Sequence, residues 1–336
     1  MPGAGRHPRQ GQDARLKAAM PEPSTATAPT DITPHVVSER LARKAFRNTK
    51  ERVIEGVLFL AASVSVIATV GIVGVLVSES AHFFGSIPVW QFFTDTLWTP
   101  LFAEPRYGIL PLLLGTLTTS LVALAVAIPL GTVIAIYLSE FANPSLREVI
   151  KPFLELLGGI PTIVYGYFAL TVITPLLQAL IPSLPGFNML SAGLVMGIAI
   201  IPYVSSLAED AMRAVPMSIR EGSYAMGGTR FQTSVRVVVP AALSGILSAY
   251  ILGISRAVGE TMIVAVAAGM QPNFTINPME PAQTISAYIV QVALGDLPHG
   301  SIGYQSIFAA GLTLMLMTLF FNILGHIIRR RYREAY

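Results

Sequence analysis

The chain has 336 residues, 53% of them hydrophobic and only 12% charged, with a mean hydropathy of +0.62. Soluble domains carry about 25% charged residues, so the composition excludes an ordinary water-soluble protein and places the chain in lipid. The net charge is only +3 and there is no cysteine; disulfides, thiolate metal sites and cysteine catalysis are excluded, and no basic patch interleaved with aromatics supports nucleic-acid binding.

Residues 1–49 are rich in Pro, Ala, Thr and Arg and lack apolar periodicity. Such a segment cannot bury enough surface to offset the entropy of ordering, so it reads as a disordered cytoplasmic tail. It is not a secretory signal, because no apolar core follows within its first few tens of residues. Six apolar runs then follow, at about 53–77, 108–138, 149–180, 189–207, 241–268 and 303–328. Each reaches the roughly 20 residues that cross a bilayer as a helix, the form that satisfies backbone groups in lipid. The short alternating segments of a membrane β-barrel are absent. The expected fold is an all-α polytopic membrane protein with six transmembrane helices.

Orientation follows from the basic residues. Arg40, Arg43, Lys44, Arg47, Lys50 and Arg52 precede the first run. Arg147 and Lys151 sit in the second connector, and Arg213, Arg220, Arg230 and Arg236 in the fourth. Arg329, Arg330, Arg331 and Arg333 follow the last run, and the remaining connectors hold only Arg106. The alternation predicts both termini in the cytoplasm. The first outer connector carries Phe83, Phe84, Trp90, Phe92, Phe93, Trp98 and Phe102, which reads as an aromatic anchor at the headgroup level or, less simply, as a docking surface. His82 and His299 lie in outer loops without further ligand candidates, and neither reads as a metal site.

In the second run, Thr116, Thr118, Thr119, Ser120 and Thr132 read as helix-packing hydroxyls, with one or two available to line a pathway. In the third, Gly158, Gly159 and Pro161 predict a kink. The connector 209–239 places Pro216 near a helix start, and Ser218 three residues before Glu221 in capping-box spacing. Gly227 and Gly228 end the helix, leaving a short amphipathic segment that a peripheral partner can grip or that lies in the headgroup layer.

The fifth run carries Arg256 and Glu260. Each charge at mid-bilayer costs about 2.5–3.5 kcal/mol, so this span should not face lipid. In a continuous helix the two residues share a face and could pair. A structural ion pair is the bland reading. The functional one is an anion site, because a guanidinium donates in parallel to two oxygens of an oxyanion. Glu260 would hold Arg256 when the site is empty, or repel the anion so that it leaves. The four lysines all follow residues other than glycine, so no Walker A loop is present; neither is a Gly-x-Ser-x-Gly elbow or a His-Glu-x-x-His pair.

The connector resembles the signature of ABC-transporter permeases, Glu-Ala-Ala, three residues, Gly, nine residues, Ile-x-Leu-Pro. It has Glu221, Gly222 and Ser223, then Gly227, then Val237, Val238, Val239 and Pro240 at matching spacing; it departs where alanines are usual and at the two valines. Across about residues 50–330 the chain resembles the PstC family of phosphate-specific permeases, in Gly108–Ser120, Gly159–Gly166 and above all Ser255–Met262. The resemblance implies an ABC importer type I permease fold with a coupling helix at about 215–230, set in a groove of a cytosolic ATPase. It implies phosphate passage involving Arg256 and Glu260, and coupling through Glu221, Gly222, Ser223, Gly227 and Pro240. It also implies a second permease (PstA-like), a cytosolic ATPase dimer (PstB-like) and an extracytoplasmic phosphate-binding protein (PstS-like) in a bacterial inner membrane. The chain itself would be no enzyme and hold no cofactor, ATP and Mg residing on the ATPase. A permease for sulfate or molybdate is the alternative within that class, and a stand-alone secondary anion carrier the alternative outside it.

Overall fold

The computed structural model describes residues 34–331, with side chains from residue 50. The described residues are helical, with no strand among them; Trp98 and Tyr107 form an isolated antiparallel bridge. The segment read as a tail lies outside the described residues up to residue 33. From Pro34 the backbone is already helix α1 (Pro34–Ser86), so the first span's helix starts sixteen residues before the expected boundary. Extending an existing helix adds one hydrogen bond per residue fixed, without a new nucleus. By contacts the chain divides between Val70 and Gly71. Before that division the large apolar side chains of α1, from Val53 on, are exposed, as suits a surface that lipid or another subunit covers.

In the second unit the connector after α1 departs from the expected headgroup anchor. Phe83 and Phe92, the latter on α2 (Val89–Thr94), are buried with Trp98, Tyr107 and Tyr288. They meet edge to face, Trp98 and Tyr288 at 4.9 Å between centroids, the arrangement ring quadrupoles favour. Only Trp90, Phe93 and Phe102 of that aromatic set are largely exposed. The rings are thus buried against residues 285–310 of the same unit, with the Trp98 indole N–H left without a partner among the described residues.

The centre of the unit is α3 (Leu110–Ile136), which runs on through a π turn at Tyr137–Phe141. The third run then departs from expectation. It opens with a separate amphipathic helix, α4 (Pro144–Gly159), started by Asn143, whose side chain accepts from the Leu146 N–H at 2.8 Å, and by Pro144 in the first turn. Pro161 ends it, since proline constrains its predecessor and lacks an N–H. The spanning part is shorter: α5 (Thr162–Phe168), a π turn and α6 (Thr174–Leu180). The expected kink is thus a full break between two helices.

Helix α7 (Met189–Arg213) packs along α3 through Gly193 and Gly197. A Cβ on Gly193 would lie 2.7 Å from the Val122 Cβ, and one on Gly197 2.7 Å from the Ala123 carbonyl oxygen. Small residues four apart let the backbones approach where lipid provides no hydrophobic drive between helices. The connector helices are α8 (Met217–Ala225), α9 (Arg230–Thr233) and, after a π turn, α10 (Val239–Ala241). The fifth run is also broken. Arg230–Ala241 meets α11 (Leu243–Val258) at 72°, and the run ends in a separate short helix, α12 (Met262–Ala267). The chain returns through α13 (Ile285–Gln291) to α14 (Ile302–Arg331). Among the described residues, Lys50–Ser86, Leu110–Phe141, Thr162–Leu180, Met189–Arg213 and Ile302–Arg331 are long and apolar enough to cross a bilayer, and the bent pair makes a sixth when its two helices are counted as one broken span. The hydroxyls of α3 act in packing: Thr116 accepts from the Ile285 N–H at 3.0 Å, and Thr132 bonds the Tyr250 hydroxyl at 2.6 Å.

Candidate translocation site and coupling connector

Arg256 and Glu260 do not share a helix face. Helix α11 stops at Val258, and the break at Gly259–Thr261 carries Glu260 out of register. The buried Glu260 carboxylate instead accepts from the N–H groups of Met262 (3.2 Å) and Ile263 (3.4 Å), capping α12. Its backbone carbonyl accepts from the Ser286 hydroxyl at 2.6 Å. First-turn N–H groups have no partner inside their helix, and here a fixed acid takes two of them. No ion pair joins Arg256 to Glu260.

Arg256 lies in the last turn of α11, where the helix dipole favours a cation. Its guanidinium sits 4.4 Å from the Tyr203 ring centroid, and Tyr203 is itself anchored by its hydroxyl to the Gly158 carbonyl at 3.0 Å. Among the described residues Arg256 is half-buried and makes neither a hydrogen bond nor an ion pair. Five N–H donors in a planar fork are thereby held by stacking alone, beside the break between α4 and α5.

The connector places its signature residues unequally. Glu221 and Gly222 lie exposed on α8, whereas the half-buried Ser223 bonds the Thr233 hydroxyl at 2.8 Å. Gly227 has φ +81°, the left-handed turn that closes α8, with open space around it. Pro240 is exposed in the first turn of α10. The capping box is not at Ser218 and Glu221, since α8 begins at Pro216 without a side-chain cap; it is formed by Thr229 and Gln232 at the start of α9. Pro216 took the N-cap position, so Ser218 falls inside the helix, two residues too late to cap it.

Sequence reasoning missed the ionic anchors. Arg220 of α8 is buried against Glu140 at the end of the α3 π turn, with Nη2 to Oε1 at 2.9 Å and Nε to Oε2 at 3.3 Å. It also donates to the carbonyls of Val215 (2.5 Å) and Met212 (2.8 Å). The connector helix is thus bolted to the ends of α3 and α7. On α7, the buried Glu209 pairs with Arg147 and, at 3.3 Å, with Lys151, which reaches Asp210 at 2.8 Å. Burial works to lower the Lys151 pKa, but the hydrogen bond and charge of Asp210 and the charge of Glu209 outweigh it and raise the ammonium above its ordinary value. The available signal was an acid at the end of an apolar run on the arginine-rich side; its partner could not be chosen from sequence.

Apolar spans around a guanidinium that has no ion-pair partner among the described residues, joined at the basic end by an exposed connector helix, fit a polytopic membrane permease. Residues 127–334 match the family described as "Binding-protein-dependent transport system inner membrane component". The chain belongs to this family: it is a multi-pass inner-membrane permease subunit of an ABC transporter, not itself an enzyme, and the stand-alone carrier reading falls away. Membership implies a second permease, an ATPase and a substrate-binding protein. The "Probable ABC transporter permease protein YqgH" of Bacillus subtilis is 34% identical over 267 residues, 80% of this chain and 85% of the relative. The "Phosphate transport system permease protein PstC" of Mesorhizobium japonicum is 34% identical over 282 residues, covering 77% and 84%, and that of Xylella fastidiosa (strain 9a5c) 33% over 261 residues, covering 72% and 79%. Two solved structures share the fold. A bacterial ABC transporter involved in alginate import matches with TM-score 0.55 and 16% identity, over 77% of this chain and 89% of that one. The MetNI methionine ABC transporter in an inward-facing form matches with TM-score 0.51 and 17% identity, over 67% and 94%.

Proposed function

We propose that this chain forms half of the translocation pathway for inorganic phosphate, with Arg256 as the anion contact and α8 as the helix gripped by the ATPase. The observation that carries this reading is the Arg256 guanidinium, stacked on Tyr203 within a span and without an acidic partner among the described residues. A cation left unpaired in a membrane-spanning segment marks an ion pathway, and a planar fork suits a tetrahedral oxyanion. The relatives named as phosphate permeases support that choice of anion. Glu260 sets the helix break beside Arg256 by capping α12, and its negative charge keeps the anion from settling too tightly. Glu221 and Gly222 offer the exposed face of α8, Ser223 and Gly227 hold its shape, and Pro240 starts the turn into α11. The partners are a PstA-like permease, a PstB-like ATPase dimer and a PstS-like binding protein, with both termini of this chain in the cytoplasm.

The test is labelled-phosphate uptake into proteoliposomes holding the whole assembly. Arg256→Ala should abolish ATP-driven uptake with the assembly intact, and Arg256→Lys should restore part of it. Uptake at the wild-type rate in Arg256→Ala would remove the site. Transport of sulfate or molybdate in place of phosphate would overturn the choice of substrate.

A further inference from the structure

A second cluster of donors lies at the other end of α11. Ser244, Gly245 and Ser248 in its first turns, with His326, Arg329 and Arg330 in the last turns of α14, line a cavity of about 500 Å³. Among the described residues no carboxylate lines it. Arg329 donates to the Ser248 hydroxyl at 3.5 Å and to the His326 Nδ1 at 2.9 Å. A guanidinium has no acceptor, so His326 receives this bond on Nδ1 and carries its proton on Nε2. Gly245 lets α11 approach α7, since a Cβ there would collide with that of Ala211. The result is two guanidinium groups, an imidazole N–H donor and the Ser244 hydroxyl around one space, with the Ser248 hydroxyl donating to the Ser244 carbonyl at 2.9 Å, on the side that the arginine distribution assigns to the cytoplasm.

We propose that this cavity is a binding site for a phosphate oxyanion, separate from Arg256. Guanidinium, imidazole and hydroxyl donors, each suited to phosphate oxygens, are present, and Arg329 is pre-oriented by Ser248 and His326, which lowers the entropy lost on binding. The volume is many times the roughly 30 Å³ share of a water molecule, so it admits a hydrated free phosphate or the phosphodiester headgroup of an anionic lipid. Basic pockets between spans on the cytoplasmic side bind such headgroups. A free phosphate at this position would occupy a release site below the span.

The test uses the full-length chain carrying Arg256→Ala, so that only this cavity is read. In one arm, inorganic phosphate is titrated into phosphatidylcholine nanodiscs and followed by phosphorus NMR. In the other, nanodiscs containing phosphatidylglycerol are used, and native mass spectrometry counts retained phosphatidylglycerol. Arg329→Gln should weaken binding by about tenfold or more, the loss of one charge-assisted contact. Ser244→Leu, which fills the cavity without changing charge, should do the same. Loss in the first arm assigns free phosphate, and loss in the second assigns the lipid headgroup; either supports the site. Both readouts unchanged in both variants, with helical content at the parent level, overturns it.

Discussion

The pair between Arg220 and Glu140 offers the sharpest test of how the connector is held. Glu140→Ala leaves the buried Arg220 guanidinium with only the carbonyls of Val215 and Met212. Two charge-assisted hydrogen bonds are lost, each worth about 1.5–3 kcal/mol. Breaking one side of a buried ion pair costs about 3–5 kcal/mol by a separate route, so the two figures agree. Glu140→Gln keeps the shape and one acceptor and should lose roughly half of that. The double variant Glu140→Leu with Arg220→Met removes both charges and should recover most of the loss, because desolvation and attraction disappear together. The assay is unfolding of the purified chain by SDS titration, arranged as a double-mutant cycle, with co-purification of the ATPase as the functional readout. A coupling energy below about 0.5 kcal/mol, within the error of additivity, would refute the idea that this pair bolts α8 to the span ends.

Two further outcomes follow from backbone geometry. Gly197→Val should destabilise the α3–α7 crossing by about 1–3 kcal/mol, the cost of overpacking, because even a Cβ there meets the Ala123 carbonyl oxygen at 2.7 Å; SDS titration reads it, and unchanged stability would show that the helices slide apart freely. Gly227→Ala has open space but a φ of +81°, so it should cost about 1–2 kcal/mol of purely conformational strain; faster amide exchange confined to α8 checks this, and unaltered exchange would contradict it.

Much of the architecture was legible before any tertiary contact was known. Apolar runs mark spans because lipid leaves backbone groups only one another to bond. Gly227 was readable as the end of α8 because few other residues enter the left-handed region. Arg256 stood out because a charge in a span is costly whatever surrounds it. These are local energies, and a single sequence carries them.

What the fold alone decided are the choices among partners. Glu260 stands four residues from Arg256, yet the break at Gly259 turns its carboxylate to the N-terminus of α12. Arg220 finds its acid eighty residues away, and Gly193 and Gly197 matter only because α3 lies across them. The third run held a surface helix and a span end to end, since apolar composition alone does not separate an amphipathic face from a buried one. A charge or a small side chain announces a need, and which group meets it depends on packing between segments far apart in the chain.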